Sequence, residues 1–250
     1  MIIARFEHRR EIRYGLVEGD QVRVLRGEPF SHYTISADRL PLEELKLLAP
    51  CQPSKIVAVG VNYRSHAIEM GNSLPATPLL FLKPPSAILD PGGEIRYPAM
   101  AQRVDYEAEL AIVIGKKATA IQPHEADHVI LGYTCFNDVT ARDLQKLDGQ
   151  WTRAKGFDTF APVGPWIVTG LDPEKLSVES YLNGERCQSG STADLIFKVP
   201  YLVSFISQVM TLYPGDLIAT GTPSGIGPMK PGDRIEVVIE GIGHLLNSVV

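Results

Sequence analysis

The 250 residues predict a mainly β, α+β fold. Strand-like runs outnumber helical ones, and they do not alternate in the regular β–α–β order of a doubly wound sheet. Nineteen prolines and 22 glycines supply the turns such an architecture needs. A hydrophobic content of 44% against 21% charged residues describes an ordinary globular chain, long enough to bury one large core.

Residues 1–6, 12–17 and 21–25 read as a short β-meander, with Glu18-Gly-Asp20 as a turn. Residues 40–48 show the spacing of a short amphipathic helix, stopped by Ala49-Pro50. The stretch Pro50-Cys-Gln-Pro53 then predicts a boundary, giving a small N-terminal β domain (1–50) and a main domain (51–250). Further strands are predicted at 55–61, 79–83, 106–114, 129–136, 163–169, 177–182, 216–220 and 234–239. Helices are predicted at 123–128, 139–146 and 199–210, the first and last helped by Pro123 and Pro200 near their starts. Asn183-Gly184 is a two-residue hairpin signal. Pro214-Gly-Asp216 and Pro231-Gly-Asp233 are turns that each launch a strand.

Charge and composition exclude several classes of function. A balance of 24 basic against 29 acidic residues, net −5, argues against nucleic acid or an anionic membrane as the main partner. No apolar run approaches the roughly 20 residues that span a bilayer. The start, Met-Ile-Ile-Ala-Arg-Phe-Glu-His-Arg-Arg, lacks an apolar export core, and Glu11 and Arg13 follow the twin arginine where hydrophobic residues are required. Cys51, Cys135 and Cys187 are odd in number and too widely spaced for a paired-cysteine metal site. A reduced, cytoplasmic setting is expected.

Asp105, Glu107 and Glu109 alternate within Val104-Asp-Tyr-Glu-Ala-Glu-Leu-Ala-Ile-Val-Ile-Gly115, so on a strand they share one face. Ala111 and Val113 continue that face, and the other face is apolar throughout. Acids running into a segment apolar on both sides stand at the mouth of a core. There they repel and lose hydration, and a bound cation relieves both effects. An all-oxygen ligand set favours Mg²⁺, Mn²⁺ or Ca²⁺ over zinc. Three solvated acids at a strand end are the competing reading. The strand at 130–136 delivers Asn137-Asp138 to its end, just before a helix. Asp138 can therefore point at the same cation as Glu107 and Glu109, or simply cap the helix.

His124-Glu-Ala-Asp-His128 matches the HExxH pattern of zinc proteases, in which two histidines one helical turn apart bind metal. The helix is too short and no third ligand follows at a useful distance. The pattern reads as ordinary chemistry of a helix start.

Five motifs carry a resemblance: Asn62-Tyr-Arg-Ser-His66-Ala-Ile-Glu69, Asp105-Tyr-Glu-Ala-Glu-Leu, Asn137-Asp-Val-Thr-Ala-Arg-Asp143, Lys155-Gly-Phe-Asp158 and Thr220-Gly-Thr-Pro-Ser-Gly-Ile226. In this order they resemble the fumarylacetoacetate hydrolase superfamily, over nearly all of residues 55–247. The resemblance implies a mixed β-sandwich roll with a few short helices, a homodimer, and Mg²⁺ (with Mn²⁺ or Ca²⁺ as alternatives) held by Glu107, Glu109 and Asp138. Asp105 belongs to the motif but is not the usual ligand.

The resemblance also implies roles for other residues. His66 and Glu69, three apart on a short helix, would form a pair that activates water. This segment would be a mobile lid, with Gly71-Asn-Ser compatible with a hinge. Lys155 would stabilise negative charge developing on the substrate, and Arg142, Gln145 and Thr222 would bind it. The expected substrate is a small 2-oxo or 2,4-dioxo acid, and the expected reaction is C–C hydrolysis of acylpyruvates. Oxaloacetate decarboxylation or keto–enol tautomerisation, and 2-hydroxyhepta-2,4-diene-1,7-dioate isomerisation, are the alternatives within the same chemistry. A non-catalytic protein binding metal and a dicarboxylate is the alternative of another class; it would not need the His66–Glu69 pair.

Overall fold

The computed structural model describes residues 1–71 and 73–250. As the strand-rich pattern predicts, β-structure dominates. A twelve-stranded sheet runs, in spatial order, through Tyr33–Pro41, Gln21–Gly27, Glu11–Glu18, Ile2–His8, Ala161–Val168, Ile130–Asn137, Ala108–Ile114, Leu217–Ala219, Ile56–Gly60 and Leu79–Lys83, with two short strands beside this path. A five-stranded sheet (Glu185–Ser191, Ser177–Leu182, Arg234–Ile239, Gly243–Val249, Glu94–Ile95) packs across it. Among the described residues the α-helices are α1 (Arg64–Glu69), α2 (Arg142–Asp148), α3 (Thr152–Lys155) and α4 (Val199–Val209).

Alternation along Ala108–Ile114 explains the layering. Leu110, Ile112 and Ile114 enter the core shared with Val178, Val237 and Leu245 of the smaller sheet and with Leu202 and Ile206 of α4. Ala111 and Val113 face the other way, against Phe136, Val163 and Ile167. A strand buried on both faces reads as a continuous apolar run, which is how this segment appears in the sequence.

Both Pro-Gly-Asp turns work as expected. Gly215 and Gly232 adopt φ +87° and +95°, and the aspartates accept the amides of Tyr213 and Lys230, each at 2.8 Å. Asn183 and Gly184, with φ +54° and +87°, close the hairpin between Ser177–Leu182 and Glu185–Ser191.

Three expectations need correction. Residues 40–48 are not a helix: the strand Tyr33–Pro41 ends there, a single 3₁₀ turn spans Leu42–Glu44, and Lys46–Leu48 pairs with Ile2–His8. Leu40, Leu42, Leu45 and Leu47 cover the small cluster Phe6, Val22 and Val24, and that burial overrides the helical spacing. The helix expected from Val139 begins at Arg142, because Thr140–Ala141 pairs with Val104 and Asp105. The acidic strand is broken at Glu107. Val104–Tyr106 belongs to a separate three-stranded sheet, and only from Ala108 does the chain join the large one. The first fifty residues continue the large sheet through Ile2↔Val168 and Ile3↔Ile167.

Candidate active site

The break at Glu107 has a visible cause. Asn137 Oδ1 accepts the Glu107 amide at 2.9 Å, Gln188 Oε1 accepts the Ala108 amide at 3.0 Å, and Glu107 O accepts the Asp138 amide at 2.9 Å. The chain passes here from one sheet to the other, its polar groups satisfied by side chains instead of a ladder. The crossing brings Glu107, Glu109 and Asp138 together, with one carboxylate oxygen from each lying within 4.8 Å of the others. All three are buried. Asp105 does not join them: it is fully buried and accepts from Arg103 Nε (2.8 Å) and Arg142 Nε (2.9 Å).

Cations surround the trio unevenly. Arg142 Nη2 and Lys155 Nζ (2.9 Å) pair with Glu107. Lys155 Nζ (2.5 Å) and Lys83 Nζ (2.6 Å) pair with Asp138. Glu109 accepts only the neutral amide of Gly221, at 2.8 Å, and has no ion pair among the described residues. The electrostatics follow. Burial opposes ionisation of Glu107, but Lys155 and Arg142 outweigh it and hold the carboxyl well below the usual carboxylate range. Burial, then Asp138 and Glu107, push Glu109 well above that range. Burial pulls the Lys83 ammonium below its ordinary value despite Asp138. At Lys155 burial pulls the same way, but Asp138 and Glu107 prevail and raise it. A buried carboxylate without a cation, beside two that are already compensated, is the donor set a hard divalent ion completes.

Above the acids lies a pocket lined also by His66, Arg142, Gln145, Lys155 and Thr222. His66 Nδ1 lies 3.0 Å from Glu69 Oε2, as their spacing on α1 predicts, which leaves Nε2 for the pocket. The other Glu69 oxygen accepts the Gly225 amide at 2.9 Å and so ties α1 to the loop after Leu217–Ala219. Gly71, with φ +67°, follows α1; Asn72, the centre of the expected hinge, lies outside the described residues. Arg142 Nη1 donates to Gln145 Oε1 at 2.7 Å, leaving the amide nitrogen of Gln145 as a donor. Thr222 donates its only hydroxyl proton to Ala108 O and accepts from Gln188 Nε2, both at 2.8 Å, so it offers a ligand only a lone pair.

All nine residues singled out from the sequence therefore converge here. His124 and His128 do not: they are exposed on the 3₁₀ segment Pro123–His128, where Glu125 Oε2 accepts the Gln122 amide at 2.8 Å. Sequence reasoning missed Lys83, Phe81, Trp151, Asn137 and Gln188. For the first two a signal existed. Phe81 and Lys83 alternate on one face of Leu79–Lys83, so a lysine and an aromatic ring point the same way.

Residues 55–250 match the family model "Fumarylacetoacetate (FAA) hydrolase C-terminal", and residues 1–50 match "Rv2993c-like, N-terminal". "Oxaloacetate tautomerase FAHD1, mitochondrial" of Arabidopsis thaliana is 46% identical, the match covering 78% of this chain and 90% of the relative. The crystal structure of a 2-hydroxyhepta-2,4-diene-1,7-dioate isomerase from Mycobacterium marinum superposes with a TM-score of 0.93 at 45% identity, covering 100% of this chain and 98% of the other. A maleylpyruvate hydrolase from Sphingobium sp. SYK-6, whose structure holds manganese(II) and pyruvate, superposes with a TM-score of 0.83 at 34% identity, covering 100% and 99%.

Proposed function

The chain belongs to the fumarylacetoacetate hydrolase family, and from that premise we propose that it is a divalent-metal-dependent enzyme of a small 2-oxo acid, working through the acid's enolate. The observation that carries this is the buried trio in which Glu109 alone has no ion pair among the described residues. Glu107, Glu109 and Asp138 would hold Mg²⁺, or Mn²⁺ or Ca²⁺, and the relative whose structure holds manganese(II) supports a divalent ion. Held there, the ion would supply Lewis acidity that offsets negative charge on the bound acid.

The chain's own groups do the rest. Gln145 Nε2 and Arg142 bind and orient the acid. The Lys155 ammonium, fixed between Glu107 and Asp138, offsets charge developing beside it. His66, held by Glu69, takes or returns a proton through Nε2.

Two reactions use this machinery. Keto–enol tautomerisation of oxaloacetate comes first, because a relative 46% identical to this chain carries that activity in its name. The dyad then moves a proton at C3 and no bond between carbons breaks. Hydrolytic cleavage of an acylpyruvate, the sequence-based expectation, is the second reading. The His66–Glu69 pair favours it, since a histidine oriented by a carboxylate is suited to activating water. The test is oxaloacetate and acetylpyruvate side by side with Mg²⁺, for wild type and His66→Ala. Conversion of neither acid by metal-loaded wild type would reject both readings. We further propose a homodimer, testable by sedimentation, and a cytoplasmic setting, which suits three free cysteines. No helix among the described residues is long and apolar enough to cross a membrane.

A further inference from the structure

The lining of the pocket is sorted by depth. Glu107, Glu109, Asp138, Arg142 and Lys155 are at most 5% exposed, whereas Phe81 and Trp151 are half-buried and Met70 is 36% exposed. A charged floor is thus surmounted by an apolar collar. Within the collar the indole of Trp151 has two close neighbours. It meets Phe81 edge-on, with centroids 5.1 Å apart and planes at 72°. It also rests on Gly60, the last residue of Ile56–Gly60. A Cβ there would stand only 2.8 and 2.9 Å from Cζ3 and Cη2 of the ring, so the indole occupies space that any larger residue at 60 would claim. Phe81 is in turn anchored to the floor, with Lys155 Nζ 5.0 Å from its ring centroid.

A 2-oxo acid has a polar head, which belongs on the floor, and a tail, which must pass the collar to reach solvent. We propose that Trp151, seated on Gly60 and braced by Phe81, determines the length of acid this enzyme accepts and selects short tails. A braced aromatic ring cannot yield to a longer chain as a flexible side chain would, and cavity walls of this kind discriminate by steric fit. The inference rests on the reading of this pocket as the 2-oxo acid site.

The experiment measures binding, so it does not depend on which reaction occurs. Mn²⁺-loaded protein is titrated calorimetrically with oxalate, as the head alone, and with pyruvate, 2-oxobutyrate, 2-oxohexanoate and 2-oxooctanoate. Wild type should bind 2-oxobutyrate more tightly than 2-oxooctanoate. Trp151→Ala should shift the ratio of those two affinities toward the longer acid by about tenfold or more, the scale at which pocket walls discriminate chain length. Trp151→Phe should fall between them, which keeps the test open if the alanine variant does not fold. A purely structural role would weaken all acids alike and leave the ratio fixed. An unchanged ratio in the variants, with oxalate bound by wild type, overturns this inference and leaves the proposed function standing. Failure of Mn²⁺-loaded wild type to bind oxalate overturns both.

Discussion

Replacing Glu109 by glutamine keeps the shape of the side chain and an oxygen for the Gly221 amide, but removes the carboxylate that has no cation beside it. Burial is the first reason Glu109 resists ionisation, and repulsion adds to it: at an effective dielectric of about 20, two carboxylate charges no more than 4.8 Å apart repel by at least about 3.5 kcal/mol. Its pKa in the folded protein lies above that in the unfolded chain, so the metal-free native state holds the extra proton. Stability therefore falls as pH rises from the ordinary carboxylate range toward the raised value. Each pH unit across that window costs up to about 1.4 kcal/mol, or about 2–4 °C in Tm for a chain of this length. Glu109→Gln abolishes this dependence. In EDTA the variant should match wild type at the acidic end of that window and melt progressively higher than wild type as the pH rises through it. Manganese acts in the opposite direction. At a concentration about 100 times Kd it should stabilise wild type by about 2.7 kcal/mol, and Glu109→Gln hardly at all. Scanning calorimetry at several pH values, with EDTA and with MnCl₂, reads both effects. A variant that melts with wild type in EDTA at every pH, or keeps the full response to manganese, refutes the reasoning.

His66→Ala should lower turnover by about 10²–10⁴-fold while Mn²⁺ binding persists, as calorimetry and steady-state rates together would show. Asp105→Asn removes the fully buried partner of Arg103 and Arg142 and should cost about 3–5 kcal/mol in denaturant unfolding, yet retain stabilisation by manganese. Gly221 has φ +101°, and a Cβ on it would stand 2.8 Å from Cβ of Asn62. Gly221→Ala should therefore displace the amide that holds Glu109 and weaken Mn²⁺ binding by about 10–100-fold in a titration.

The site was more legible than the scaffold around it, for physical reasons. Glu107, Glu109, Asp138, His66 and Glu69 stand in ordered motifs, and their chemistry restricts what they can do in a buried setting. Strands such as Ser177–Leu182 and Arg234–Ile239 were legible to the residue because a turn fixes one end of each. The segment from Leu40 to Leu48 was misread because leucines at mixed spacings fit either period, and only Phe6, Val22 and Val24 decide which one is used. The break at Glu107 could not be read locally, since it depends on Asn137, 30 residues from Glu107, and on Gln188, 80 residues from Ala108. Lys83 escaped notice because a lysine closing an apolar strand ordinarily marks the way out to solvent. Here it turns inward to Asp138, a contact 55 residues distant.

The claim on which the rest depends is that Glu107, Glu109 and Asp138 act together on one divalent ion that receives a 2-oxo acid. A crystal soaked with Mn²⁺ and oxalate, with anomalous scattering recorded at the manganese edge, addresses it directly. The account predicts one strong peak within coordination distance of all three carboxylates, with oxalate completing the shell beneath His66. A peak elsewhere, or none at this position with Lys155 still bridging Glu107 and Asp138, would contradict it.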